Sequence, residues 1–137
     1  MVTFEVPGTP GSKGRPRFRS VGKYVQTYTP DKTVVYENFV RQMWLQTKHP
    51  KLEGNIVATI EAIFPIPKSV SKKKHEAMVT APYPKKPDAD NIAKAILDSL
   101  NGIAYDDDSA VTSLTVKKRY GEEPKVIVSL YGYGVMI

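Results

Sequence analysis

Residues 85–109 read KKPDADNIAKAILDSLNGIAYDDDS, and they hold six of the seven aspartates of a chain whose net charge is +6. Apolar residues recur at helical spacing from Ile92 to Leu100, which predicts a helix with one buried face. Asn101-Gly102 predicts its end, because glycine readily adopts the left-handed conformation of a helix stop. Asp106–Asp108 then forms a short acidic loop. The stretch therefore predicts one amphipathic helix between two acidic segments.

The acidic residues of this stretch predict a divalent-cation site. Carboxylates packed together repel one another, and oxygen ligands favour Mg²⁺, Mn²⁺ or Ca²⁺ over zinc. Pro87 favours extended backbone before it, and if residues 88–90 continue extended, Asp88 and Asp90 point to the same side. Lys94 and Asp98 lie one helical turn apart. A carboxylate metal site in a basic protein suggests hydrolysis of nucleic acid.

Each of these features also has an ordinary structural interpretation. Asp90, like Asn91, is a good helix cap whatever else it does. Lys94 with Asp98 is a common surface pair. A solvated turn is the usual state of a charged run such as Asp106–Asp108. The fold, and not the local sequence, determines whether that run returns to Asp88 and Asp90.

The whole chain predicts a single α+β domain, residues 1–137, with a mixed sheet of about four to five strands and helices packed against it. Two helices are expected besides the one in the acidic stretch, at about 31–48 and 72–78, and Trp44 of the first is assigned to the core. The last two strands are expected to form a hairpin. The predicted strands span residues 2–6, 24–28, 55–64, 111–120 and 125–131.

The segment from Pro7 to about Lys23 predicts a basic loop. Its interleaved glycines and prolines exclude a regular helix, and arginine is suited to forked contacts with phosphate. A sequence pI of about 9.4 fits a nucleic-acid partner. The candidate DNA-binding residues are Lys13, Arg15, Arg17, Arg19, Lys85 and Lys86.

The composition also limits the compartment. The absence of cysteine excludes disulfides and thiolate zinc sites. The first residues lack the pattern of a signal peptide, and no apolar run is long enough for a membrane span. We therefore expect a cytoplasmic protein without a membrane partner.

Two motifs resemble the signature of the RusA-type Holliday-junction resolvases. One is P-D-x-D-N-x-x-K-x-x-x-D-x-L-N-G, residues 87–102, and the other is Y-D-D-D-S-x-V, residues 105–111. The opening V-P-G-T-P-G-S-K-G-R-P-R-F is similar to the first strand and basic loop of that family. Such proteins are small homodimeric endodeoxyribonucleases of bacteria and their prophages that act in DNA recombination and repair. The resemblance extends over nearly the whole chain.

The resemblance implies a role for each matching residue. Asp88, Asp90 and Asp108 would be catalytic ligands of Mg²⁺, with Mn²⁺ as a substitute, and Lys94 the catalytic lysine. Asp107 would assist. Asp108 is chosen as the ligand from the three acids Asp106–Asp108, of which Asp106 is the remaining one. Asn91 and Asp98 match positions with a structural role. Ala110 stands where members commonly have glutamine. The implied substrate is a four-way DNA junction and the implied partner a second copy of the chain.

Two other functions fit the same residues. One is a metal-dependent phosphoesterase that acts on flaps, on single strands or on other branched DNA. The other is a non-catalytic DNA-binding module in which the aspartates are structural. A module that only binds DNA gains nothing from acids beside phosphate, which favours an enzyme.

Overall fold

The computed structural model describes residues 1–13, 17–28 and 31–134. These ranges contain a four-stranded sheet, a separate two-stranded hairpin, three α-helices and one 3₁₀ turn, in the expected α+β class. The elements in chain order are β1 (Val2–Pro7), β2 (Arg17–Val21), β3 (Tyr24–Tyr28), α1 (Asp31–Gln46), β4 (Asn55–Pro65), α2 (Lys72–Met78), α3 (Ala89–Ser99), the 3₁₀ turn (Asp108–Ala110), β5 (Val111–Gly121) and β6 (Lys125–Tyr133).

The four-stranded sheet is mixed and has the order β1-β6-β4-β5. β4 pairs with β6 in antiparallel and with β5 in parallel orientation. The predicted hairpin between β5 and β6 is therefore wrong. β4 lies between them because its apolar residues are buried along most of its length, as in an interior strand. The short connection from Gly121 to Lys125 passes the end of β4, where Pro65 pairs with Gly121.

The parallel pairing of β4 and β5 requires a crossover, and the connection that contains α2 and α3 supplies it. The predicted buried face of α3 is confirmed, since Ile92, Ile96 and Leu100 are fully buried. α1 packs against α3 and β1. The core role of Trp44 is confirmed by its burial and by its edge-to-face contact with Phe4 at 5.8 Å.

The basic segment that was predicted as a loop contains a strand. Residues 17–21 pair in antiparallel register with residues 24–28, and Gly22 makes the turn with a φ of 60°. Both sides of this glycine contain residues with high strand propensity, among them Phe18, Tyr24 and Val25, which favour a hairpin once a tight turn is available. None of the described helices is long and apolar enough to cross a membrane.

Candidate active site

The start of α3 differs from the prediction. The helix begins at Ala89 with Asp88 as its N-cap, so Asp88 is extended as expected, but the extended backbone expected for Ala89 and Asp90 is wrong. Alanine favours the helix, and an acid in the first turn, Asp90, is stabilised by the helix dipole. The Asp88 side chain makes no capping bond. Instead both of its carboxylate oxygens accept hydrogen bonds from Lys86 Nζ, at 2.8 and 3.0 Å.

One face of α3 carries Asp90, Lys94 and Asp98, which follow one another at the four-residue spacing of helical neighbours. Asp90 and Lys94 are exposed, and Asp98 is half-buried. The surface pair predicted between Lys94 and Asp98 is absent from the ion pairs of the described residues. Within these ranges the Lys94 ammonium is thus not neutralised by a carboxylate.

Asp98 pairs instead with Lys13, which comes from the N-terminal segment. Lys13 Nζ lies 3.5 Å from the Asp98 carboxylate and 3.0 Å from that of Glu37 on α1. The Lys13 backbone N–H donates to the carbonyl of Asn91 at 3.0 Å. Burial acts to lower the pKa of Lys13, but the two carboxylates outweigh it and raise the pKa above its ordinary value. Lys13 therefore joins the N-terminal segment, α1 and α3.

The loop after α3 returns to the end of the helix. Tyr105 is buried, and its hydroxyl donates to the carbonyl of Leu97 at 2.6 Å. Asn101 Oδ1 accepts the backbone N–H of Asp108 at 2.8 Å. Burial raises the pKa of the Tyr105 hydroxyl, and the nearby charges of Asp108, Asp98 and Asp107 raise it further. Neither Asn101 nor Tyr105 was predicted as a site residue, although both are fixed letters of the two motifs.

The three acids of this loop have different environments. Asp106 is 91% exposed at its side chain and pairs with Lys51 at 2.9 Å. The Asp107 carboxylate accepts the backbone N–H of Ser109 at 3.0 Å, and hydrogen bonding by the Ser109 side chain and backbone lowers its pKa. Burial raises the pKa of Asp108, as do a hydrogen bond with the Asp98 side chain and the charge of Asp107.

The fold thus brings Asp98 and Asp108 together, a contact that the assignment of Asp98 to a structural role did not anticipate. The sequence signal for a role of Asp98 in the site was its position one helical turn after Lys94, on the same face of α3. Within the described residues, no three His, Cys, Asp or Glu side chains form a group that could hold a metal ion. The candidate ligands Asp88, Asp90 and Asp108 are all carboxylates, whose chemistry fits Mg²⁺. Their assignment as a ligand set stays a prediction.

The backbone that precedes α3 is firmly held. Lys118 Nζ donates to the carbonyls of Lys85 and Pro87, at 2.6 and 2.8 Å. The Tyr83 hydroxyl donates to the Lys86 carbonyl at 3.1 Å, and the Tyr83 ring stacks on Phe64 with centroids 3.9 Å apart. The exposed side chains of Lys85 and Lys86 therefore extend from a hydrogen-bonded backbone segment next to Asp88.

The basic N-terminal residues are only partly described. Arg19 lies on β2 and is exposed, and its guanidinium donates to Gln26 Oε1 at 3.1 and 3.0 Å. Arg17 begins β2, but its side chain lies outside the described part of the chain. Arg15 also lies outside the described residues. The role of these residues in DNA binding stays a prediction.

Comparison with known proteins identifies the family. The family model described as "Endodeoxyribonuclease RusA" matches residues 7–131. The chain belongs to the RusA family. It is also 36% identical over 134 residues to the uncharacterized protein YqaN of Bacillus subtilis (strain 168), with 94% of each chain covered. The RusA match includes α3, the loop that follows it, Lys85 and Lys86, and the basic segment from Pro7 to Lys23. The resemblance noted in the sequence is therefore confirmed. RusA proteins are endodeoxyribonucleases, which supports nuclease activity on DNA.

Proposed function

We propose that this RusA-family protein resolves four-way DNA junctions, in recombination and repair, by paired and symmetric Mg²⁺-dependent cuts. The main support is a hydrogen bond that returns the loop to the helix, in which Asn101 Oδ1 accepts the backbone N–H of Asp108 at 2.8 Å. Asp108 thereby lies near Asp98, which shares a face of α3 with Asp90 and Lys94. Acids and an exposed lysine on one helical face, in a family of endodeoxyribonucleases, match what phosphodiester hydrolysis requires.

Asp88, Asp90 and Asp108 would bind the metal ion, with Asp107 beside Asp108. They do not form a ligand group in the described residues, so binding would require their carboxylates to move together. When bound, Mg²⁺ or Mn²⁺ would polarise a phosphodiester oxygen and lower the pKa of an attacking water. Asn101 fixes the backbone of Asp108 by accepting its N–H.

Lys94 supplies a positive charge at the reacting phosphate. Its side chain is exposed on the face that carries the acids, and a cation there stabilises the negative charge that develops on the phosphate oxygens. Lys13 has a different role. Its ammonium contacts Glu37 and Asp98, so it positions Asp98 and is not directed at DNA.

DNA binding falls to basic residues of two segments. Lys85 and Lys86 precede Asp88 and would contact phosphates next to the cut. Arg15, Arg17 and Arg19 of the N-terminal basic segment would add further phosphate contacts. Phosphate contacts of this kind give affinity and register but little sequence information.

Two symmetric cuts require two active sites. A four-way junction has approximate two-fold symmetry, and the chain carries one acidic stretch. A symmetric homodimer would place one site on each of two opposite strands. It would also double the net charge of +6 that attracts the polyanion.

A substrate panel tests the proposal. The purified protein would be incubated in Mg²⁺, and in EDTA as a control, with a four-way junction, a flap, a duplex, a single strand and a small phosphodiester. We expect cutting of the junction alone, dependent on the metal. Preferential cutting of the flap or single strand would favour the broader phosphoesterase, and binding without any cutting would favour the non-catalytic module.

A further inference from the structure

A cavity of about 630 Å³ lies beside the candidate active site, between the N-terminal segment, α1 and the backbone that leads into α3. Its apolar lining includes Val35, Tyr36, Phe39 and Pro87, and Lys32 and Lys86 also border it. The volume is within the range of small-ligand pockets, about 300–1,000 Å³. Nothing in the catalytic scheme above uses this cavity.

The walls of the cavity are directly continuous with the site. Pro87 precedes Asp88 in the chain, and Lys86 Nζ lies 2.8 Å from the Asp88 carboxylate. A strand whose phosphate is bound through the metal ion at Asp88 would therefore bring its neighbouring nucleoside to this cavity. The two lysines would face the flanking phosphates, for which an ammonium is a good partner.

The lining is suited to a flat aromatic ligand. Gly11 covers one face of the Tyr36 ring, where a Cβ atom would be 2.6 Å from it, so the remaining lining and Phe39 would contact the ligand. Phe39 is partly buried on the core. Burial raises the pKa of Tyr36. Aromatic side chains of this kind are stacking partners for every base.

We propose that this cavity receives one unstacked nucleobase of the cut strand, from the nucleotide next to the cleaved phosphate. This inference rests on the proposed function. Bases at a branch point lack a full set of stacking neighbours, so moving one out of the helix costs less than within a duplex. The two lysines at the border of the cavity favour an occupant that is flanked by phosphates.

Two neighbouring valines of α1 provide a matched test. Val35 lines the cavity and is 69% exposed, whereas Val34 is 41% exposed and does not line it. Val35→Trp would fill the cavity from its rim without disturbing the core, and Val34→Trp is the control. Equal melting temperatures of the two variants and the wild type would establish that both fold.

The first readout is base unstacking. A junction with 2-aminopurine next to the cut site would be titrated in Ca²⁺, with Asp90→Asn in every protein to prevent cutting. We expect a change in 2-aminopurine fluorescence on binding with the Val34→Trp protein and its loss with Val35→Trp. Because this readout needs no cutting, it tests the cavity even if the protein proves not to be a resolvase.

The second readout is the cutting rate with Asp90 intact. Loss of one base stack should slow junction cutting by Val35→Trp by about tenfold while Val34→Trp cuts like wild type. Equal fluorescence changes and equal cutting rates in the two variants would overturn the proposal. Val35→Trp could also dissociate a dimer in a sedimentation experiment while the fluorescence change per bound protein stays the same. That result would assign the cavity to a second copy of the chain and overturn the proposal.

Discussion

Asp108 lies near Asp98 at the end of α3, where Asn101 Oδ1 accepts the backbone N–H of Asp108 at 2.8 Å. Asp98 comes from the last turn of α3 and Asp108 from the loop that follows. Burial and these neighbouring acids raise the pKa of Asp108. Two acids held together in this way weaken the folded state, and such arrangements are characteristic of functional sites.

Asp108→Asn should stabilise the protein in EDTA at pH 7. The folded chain binds a proton at Asp108 more tightly than the unfolded chain, whose pKa is near 3.8. The stability from this group is present below that pH and is lost as pH rises through the raised folded value. Asparagine does not ionise, so the melting temperature should rise by about 2–5 °C at pH 7. At pH 3 the variant and the wild type should melt alike.

Asp106→Asn is the control for that experiment. Asp106 is 91% exposed and pairs with Lys51, so its removal relieves no repulsion and should not raise the melting temperature. A rise equal to that of Asp108→Asn would attribute the effect to overall charge and contradict the importance of the Asp98–Asp108 contact.

Mg²⁺ should stabilise the wild-type protein but not Asp108→Asn. A ligand that binds only the folded state at about 100 times its Kd adds about 2.7 kcal/mol to the free energy of unfolding. Thermal melting across a Mg²⁺ titration measures this directly and requires no DNA. An equal shift in the melting temperature of both proteins would remove Asp108 from the ligand set.

Lys13→Met should impair cutting without changing the salt dependence of DNA binding. The Lys13 ammonium faces Glu37 and Asp98, so its loss should slow cutting by about tenfold, as for other groups that orient a metal site. Lys13→Arg should retain most of the rate. The slope of log Kd against log salt should stay unchanged in Lys13→Met.

Lys85→Ala is the matched comparison for the binding measurement, since the Lys85 side chain is exposed beside the site. Its removal should reduce the salt slope by about 1, the effect of one lost phosphate contact. If Lys13→Met reduced the slope and Lys85→Ala did not, the roles assigned to these two lysines would be reversed.

Lys94→Ala should lower the single-turnover cutting rate by about 100-fold or more, with little change in junction affinity. Lys94 is exposed on the acidic face of α3, whereas Lys73 is an exposed lysine of α2. Lys73→Ala should therefore cut at the wild-type rate. A rate for Lys94→Ala close to that of Lys73→Ala would exclude Lys94 from catalysis.

Local sequence predicted the elements whose signals are local. The spacing of Ile92, Ile96 and Leu100 defined the buried face of α3, and Gly102, with a φ of 79°, lies just past the helix end as expected. Trp44 was placed in the core from its helical period alone.

Long-range contacts explain what could not be predicted. The place of β4 between β5 and β6 depends on pairing across the whole sheet, which a turn motif between two strands does not encode. Lys13 and Asp98 are far apart in the sequence, so their ion pair could not be predicted. Sequence spacing alone paired Asp98 with its helical neighbour Lys94 instead. The approach of Asp108 to Asp98 depends on the buried Tyr105 and its bond to Leu97.

We propose that the acids around α3 cut a four-way junction symmetrically. A mobile junction, with each strand end-labelled in turn, would be incubated in Mg²⁺ with wild type, Asp90→Asn and the control Asp106→Asn. We expect nicks at symmetric positions in opposite strands for wild type and Asp106→Asn, and bound but intact junction for Asp90→Asn. Cutting by Asp90→Asn at the wild-type rate, or a single unpaired nick by the wild type, would contradict this proposal.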